Sequence, residues 1–212
     1  MTPAAFVRAN TCLAVLPYVP EVRLYLAEEV FGLWERTQQE LDCEMPVPFW
    51  AFAWVGGQAL ARHVLDHPGL VAGRNVVDLA AGSGLVAIAA AKAGAATVTA
   101  SEIDCFATAA IAANASANGV TVAATVGDVL DRDSACADIV LAGDVCYEQP
   151  TADRMLGFLE RAWAGGTDVL VADPGRGHLP HPRFEALATY EVPAMRALEA
   201  TEVKQTTVWQ PT

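Results

Sequence analysis

Between Asn75 and Asp173 the chain switches hydrophobic period repeatedly, and few folds accommodate that. "NVVDLA" is a short apolar run that stops at a glycine-rich turn, "LVAIAAAKAG" follows with helical spacing, then "ATVTASE" reads as a strand and "CFATAAIAANASANG" as a helix. "VTVAATVGD" and "ADIVLAGD" read as third and fourth strands, "ADRMLGFLERAWAGG" as a helix, and "TDVLVADPG" as a fifth strand. Apolar strands joined by helices imply a parallel sheet wound on both faces. The tail breaks the rule: "LATYEVPAM" and "EVKQTTVWQ" are strands with no helix between them, so the sheet is expected to finish in an antiparallel hairpin. Upstream, Val22, Leu26, Val30, Phe31, Trp34 and Leu41 fall near one stripe behind Pro20, which predicts an amphipathic helix over Glu21 to Leu41, ended by the loop "DCEMPVP". "GGQALARHVLDHPGL" reads as another helix, closed by Pro68 and Gly69.

At 212 residues the chain suits one domain. It is 53% hydrophobic, yet no run approaches the ~20 apolar residues that span a bilayer. The apolar patch "CLAVLPYV" is broken by proline and lacks a cleavage site, so a soluble chain without a secretion signal is expected. Cys12, Cys43, Cys105, Cys136 and Cys146 form no C-x-x-C pair and leave an odd one over, which favours reduced thiols in a cytoplasm. The net charge of −12 discourages nucleic acid as a partner and favours a basic protein or a cationic group.

In an open α/β sheet, ligands sit beyond the carboxyl ends of the strands. Four of those ends are acidic: Asp78 in "DLAAGSG", Glu102, Asp128, and Asp144 in "GDVCY". Any one alone reads as a cap or turn residue, whereas four in register point to a ligand. The glycines of "AAGSG" let the backbone approach that ligand at a helix N-terminus. "GSGLVA" also fits the G-x-G-x-x-A form of a dinucleotide site, with Glu102 at the spacing of a ribose-binding acid, so a nicotinamide-dependent oxidoreductase stays open. Asp78 separates the two readings: it would repel a pyrophosphate and favour an amine or a sulfonium, and S-adenosylmethionine carries both and no phosphate. His178 and His181 lie in a proline-rich loop without nearby acids or cysteines, and no metal is expected.

Asp144, Val145, Cys146 and Tyr147 form a D-x-x-Y motif after the fourth strand, and with the glycine loop this resembles the seven-stranded S-adenosylmethionine-dependent methyltransferases, in particular their lysine methyltransferase group. "PFWAFAWVGGQALARHVLDHP", "VPEVRLYLAEE" and "ADPGRG" extend the resemblance over nearly the whole chain, toward the bacterial relatives that act on the β subunit of electron transfer flavoprotein. Ala80 departs from it, standing where many methyltransferases have glycine.

The resemblance implies an α/β fold with a Rossmann-like doubly wound seven-stranded sheet, a helical extension over 1–45 and the methyltransferase domain over 46–212. It places Asp78 and the backbone of Ala80, Ala81 and Gly82 against the methionine moiety and Glu102 on the ribose hydroxyls. Asp128 and Val129 would border adenine, with Gly143 at the methyl-bearing end. Trp54 would pack beside the cofactor, Trp50 and Phe52 would wall the substrate channel, and Phe49 would go to the core. Asp144 would attract and orient the lysine amine, and Tyr147 would complete the channel. The implied partner is a lysine-bearing protein, the flavoprotein β subunit, with no nucleic acid or membrane; a small-molecule N-methyltransferase of the same fold is the alternative.

Overall fold

The computed structural model describes residues 1–29, 32–35, 38, 47–132, 136–194, 199 and 201–212. Helix α1 (Pro3–Asn10) leads into β1 (Cys12–Val15) and β2 (Arg23–Leu26), which pair antiparallel as a separate two-stranded ribbon. Helix α2 (Val55–Asp66) opens the alternating part, followed by β3 (Asn75–Leu79), α3 (Leu85–Lys92), β4 (Thr97–Glu102), α4 (Cys105–Asn118) and β5 (Ala123–Val126). Then come β6 (Ile139–Gly143), α5 (Gln149–Ala164), β7 (Asp168–Asp173), β8 (Phe184–Pro193) and β9 (Val203–Pro211). The seven-stranded sheet runs β5-β4-β3-β6-β7-β9-β8, with β9 antiparallel to both of its neighbours and the other pairs parallel.

Strand residues alternate between two apolar layers, as a sheet covered on both faces requires. Val76, Ile139, Leu141, Leu170 and Ala172 pack with Leu60 of α2, Ile88 of α3 and Ile111 of α4. Val140, Ala142, Val169 and Val171 face the other way, onto Leu156 and Leu159 of α5. Leu16, Val19, Val22 and Leu24 join the first layer, so the N-terminal ribbon shares the core of the sheet.

The helix expected from Glu21 does not form at its start, where Arg23–Leu26 is a strand. A four-residue segment with Leu24 buried and its neighbours more exposed fits either period, and partners outside it decide the outcome. The backbone N–H groups of Arg23 and Tyr25 donate to the side chains of Asn118 (3.0 Å) and Asn114 (2.7 Å) on α4, which satisfies the edge that β1 leaves open. Residues 32–35 are helical; much of the remaining stretch to Leu41 and the loop after it, with Cys43, lies outside the described residues.

Asn114 is fully buried, and while accepting from Tyr25 it donates through Nδ2 to the Ser83 carbonyl at 2.8 Å. One side chain thereby ties the ribbon and the turn after β3 to α4. Asn114→Ala would strand a buried donor and a buried acceptor and is expected to lower unfolding stability by about 2–4 kcal/mol in urea titration. A loss below about 0.5 kcal/mol would mean that the bridge contributes nothing.

Candidate active site

The turn after β3 holds three residues in left-handed backbone: Ala80 (φ 53°), Gly82 (φ 53°) and Gly84 (φ 78°). Ala80 thus takes up the conformation that glycine would adopt at lower strain, and the tight turn forms despite its side chain. Below it Asp78, 1% exposed, accepts from the Ala87 N–H in the first turn of α3 at 2.9 Å. Burial pushes this carboxyl up to about 8; the Ala87 N–H pulls against the shift, and the charge of Glu102 adds to it. Glu102 accepts from the Gly82 N–H at 2.6 Å and from its neighbour Ile103 at 3.0 Å, and burial raises its carboxyl while those N–H groups restrain it. A cleft opens here, lined by Phe52, Trp54, Gly57, Asp78, Ala80, Ala81, Gly82, Ser83, Leu85, Val86 and Gly143.

The other wall is built where α2 meets the end of β6. Asp144 stands just beyond β6 with φ 58°, and its backbone N–H donates to the Ala172 carbonyl at 3.0 Å. Its Oδ2 accepts from the N–H groups of Gly56 and, at 3.3 Å, Gly57, the start of α2, where the helix dipole favours an anion. Its Oδ1 accepts from Arg176 Nε at 3.1 Å and Nη2 at 2.7 Å. Burial raises the Asp144 carboxyl, and Arg176 and the Gly56 N–H oppose that rise. The approach needs glycine on both sides. A Cβ on Gly56 would lie 2.5 Å from Asp144 Oδ2, and one on Gly143 would lie 3.0 Å from Gly57.

Aromatic side chains form the lip. Trp54 is the N-cap of α2, and its Nε1 donates to the Phe49 carbonyl at 2.9 Å. The Phe49 ring packs 5.7 Å from Trp54 and 5.5 Å from Tyr147, and Arg176 lies 5.9 Å from the Trp54 ring centre. Phe49 and Tyr147 are 40% and 42% exposed. The expected roles of the aromatic run therefore need two corrections. Trp50 is 2% exposed in a cluster with Phe6, Phe52 and Phe106 and does not line the cleft, whereas Phe49, expected in the core, stands at the mouth. The cause is the 3₁₀ turn over Phe49–Ala51, which points successive side chains about 120° apart, sending Trp50 inward and Phe49 outward.

The structure brings Trp54, Phe52, Asp78, Ala80, Ala81, Gly82 and Gly143 onto one cleft, with Glu102 joined to it through Gly82. Asp144 and Tyr147 flank it, tied to the same wall by Gly57 and Phe49. Asp128 and Val129 lie outside that lining, Asp128 engaged by Arg154 at 2.8 Å and by the Leu130 N–H at 2.9 Å. His178 contacts Gln149, and His181 packs on Trp209. The sequence reading missed Phe49, Arg176 and the reason for the Gly56–Gly57 pair. That pair was visible as a motif, and Arg176 sits in the quoted "ADPGRG" without a local cue to its partner.

Asp78 has no cationic partner among the described residues, and its carboxyl, at about 8, is mostly protonated at pH 7. A ligand ammonium placed against it favours the ionised form, so binding at pH 7 is expected to release up to about one proton per cofactor. Calorimetry with S-adenosylmethionine in buffers of different ionisation heat reads this directly. Asp78→Asn should remove the release and weaken binding, and buffer-independent heat in the wild type would contradict the assignment.

Comparison with known proteins gives concordant matches. Residues 60–145 match the family model of ribosomal protein L11 methyltransferase (PrmA). The electron transfer flavoprotein beta subunit lysine methyltransferase of Rattus norvegicus is 36% identical over 168 residues, covering 76% of this chain and 66% of the rat protein. The Xenopus laevis protein of the same name is 34% identical over 213 residues, covering 98% of this chain and 86% of its own length. Among solved structures, a T. thermophilus 16S rRNA methyltransferase in complex with AdoMet and guanosine superposes with a TM-score of 0.59 at 17% identity, over 96% of this chain and 50% of that one, which supports the fold. With that length of match and that level of identity, the chain belongs to the family of electron transfer flavoprotein β subunit lysine methyltransferases.

Proposed function

We propose that the protein transfers methyl groups from S-adenosylmethionine to lysine side chains of the electron transfer flavoprotein β subunit. The observation that carries this reading is the Asp144 carboxylate, set at the carboxyl end of β6 beside the aromatic lip of Phe49, Trp54 and Tyr147, in a chain of that family. The donor set of the cleft suits the cofactor. A buried carboxyl without a cationic partner among the described residues can ionise against an incoming ammonium, which supports a cofactor that carries one. Asp78 and the backbone of Ala80 to Gly82 would hold the methionine end, Glu102 the ribose hydroxyls, Asp128 and Val129 the adenine edge, and Gly143 the methyl-bearing end. When bound, S-adenosylmethionine supplies an electrophilic methyl group on a sulfonium.

The residues of the chain manage the lysine. Only the neutral amine is a nucleophile, and with a pKa of ~10.4 it is on the order of one molecule in two thousand at pH 7. Phe49 and Tyr147 flank the aliphatic stem, Trp54 closes the inner side, and Asp144 accepts a hydrogen bond from the amine and orients it while the proton leaves to water. Positioning then does most of the catalytic work. No metal is required for this chemistry, and the described residues hold no metal-binding cluster. Among the described residues Cys12, Cys105 and Cys146 form no disulfide, in keeping with a cytoplasmic setting, and no described helix is long and apolar enough to cross a membrane. A chain of charge −12 attracts a lysine-rich protein surface, more weakly as salt screens the field.

The test incubates the enzyme and S-adenosylmethionine with flavoprotein from the same organism and maps added methyl masses by peptide mass spectrometry. Methylation confined to β subunit lysines is the expected result. Methylation of a small amine or another protein, with the β subunit untouched, would overturn the substrate assignment.

A further inference from the structure

Behind Asp144 lies a charged group that lysine positioning alone does not account for. Arg176, from the loop after β7, donates through Nη2 to both Asp144 Oδ1 (2.7 Å) and Glu199 Oε1 (2.6 Å), and Nη1 reaches Glu199 Oε2 at 3.5 Å. Glu199 comes from the connection between β8 and β9, and its side chain is only 4% exposed against 19% for Arg176. Asp173 holds the same loop from below, its Oδ2 accepting from the N–H groups of Gly175 (2.7 Å) and Arg176 (3.1 Å). Among the described residues the remaining titratable neighbour is the Cys146 thiol, which burial and then the charges of Asp173 and Asp144 push up to about 12, so it stays neutral.

Every recorded partner of the Asp144 oxygens is a donor: Gly56, Gly57, and two nitrogens of Arg176. Among the described residues a carboxyl proton would have no acceptor there, so these contacts favour the ionised form against the upward push of burial. An isolated buried carboxylate beside a lysine would, however, stabilise the ammonium form and oppose the loss of its proton.

We propose that Arg176, braced by Glu199, is a positioning residue for methyl transfer: it keeps Asp144 ionised and oriented while offsetting the charge that would hold the incoming lysine as ammonium. This inference rests on the lysine methyltransferase reading. Removing the guanidinium acts twice in the same direction. Asp144, still buried, takes up a proton more readily, and wherever it remains ionised it retains the proton of the amine. Both effects move activity to higher pH.

The experiment compares wild type with Arg176→Gln, Arg176→Lys and Glu199→Gln. It follows kcat/KM for flavoprotein methylation from pH 6 to 10 and titrates Asp144 by ¹³C NMR of γ-¹³C-aspartate-labelled protein, with Asp144→Asn identifying the signal. In Arg176→Gln the acid limb is expected to rise by about one pH unit or more and the Asp144 resonance to report protonation at pH 7, with S-adenosylmethionine affinity within about threefold of wild type. Arg176→Lys should restore most of both, and Glu199→Gln should move both by a smaller amount in the same direction. An acid limb and an Asp144 resonance that stay in place overturn the proposal, whatever happens to kcat; if Arg176→Gln does not fold, Glu199→Gln decides on the same two readouts. The NMR titration needs no substrate. Absence of lysine methylation by the wild type therefore counts against the proposed function, and an unmoved resonance counts against this inference.

Discussion

The seat of the Asp144 carboxylate on the first turn of α2 is the contact on which the rest of the site depends. A carboxylate buried at the end of a central strand is tolerated only when donors replace the lost water. Here they come from the Gly56 and Gly57 N–H groups and from Arg176. Gly56 and Gly143 let helix and strand approach without a Cβ between them, and that approach sets where α2 begins. Because Trp54 is the residue that caps α2, the same contact also sets the inner wall of the cleft and, through the Phe49 carbonyl, the aromatic lip. The left-handed backbone of Asp144 is a further sign of a position held by its surroundings, since aspartate adopts it only at some cost.

The three acids around the cleft are each restrained by backbone N–H groups, yet to different ends. Asp78 receives one such bond and is pushed up to about 8, leaving it ready to change charge when a cation arrives. Glu102 receives bonds on both oxygens and keeps lone pairs free for hydroxyl groups. Asp144 is the only one of the three with an ion-pair partner among the described residues, and that partner is shared with Glu199. The site thus separates a carboxyl with no cationic partner among the described residues from a carboxylate whose charge Arg176 already balances.

Much of this was legible in the sequence, for physical reasons that can be named. The central strands β3, β6 and β7 are mostly apolar on both faces and the helices between strands are long enough to show their period, so the parallel sheet was readable, and two terminal strands with no helix between them showed the closing hairpin. The acids at the strand ends were readable because a ligand-binding crevice in such a sheet has a defined place. Arg23–Leu26 was not, since its strand character comes from pairing with β1 and from Asn114 and Asn118, some ninety residues away, on its other edge. Trp50 and Phe49 exchanged roles because a single 3₁₀ turn, invisible to a two-fold or 3.6-fold pattern, decides which of two adjacent aromatics faces out. Arg176 stood in the quoted "ADPGRG" and Glu199 carried no cue, and their pairing was not readable because it lies in a contact between loops that only the folded sheet brings together.

The central claim is that Asp144 serves the lysine and not the cofactor. It is tested most directly by Asp144→Asn, measured in parallel for single-turnover methylation and for S-adenosylmethionine affinity. The account predicts a rate lower by on the order of 10²-fold or more, with the cofactor dissociation constant within about threefold of wild type. A folded variant that turns over at the wild-type rate, or one whose loss lies entirely in cofactor affinity, would contradict it.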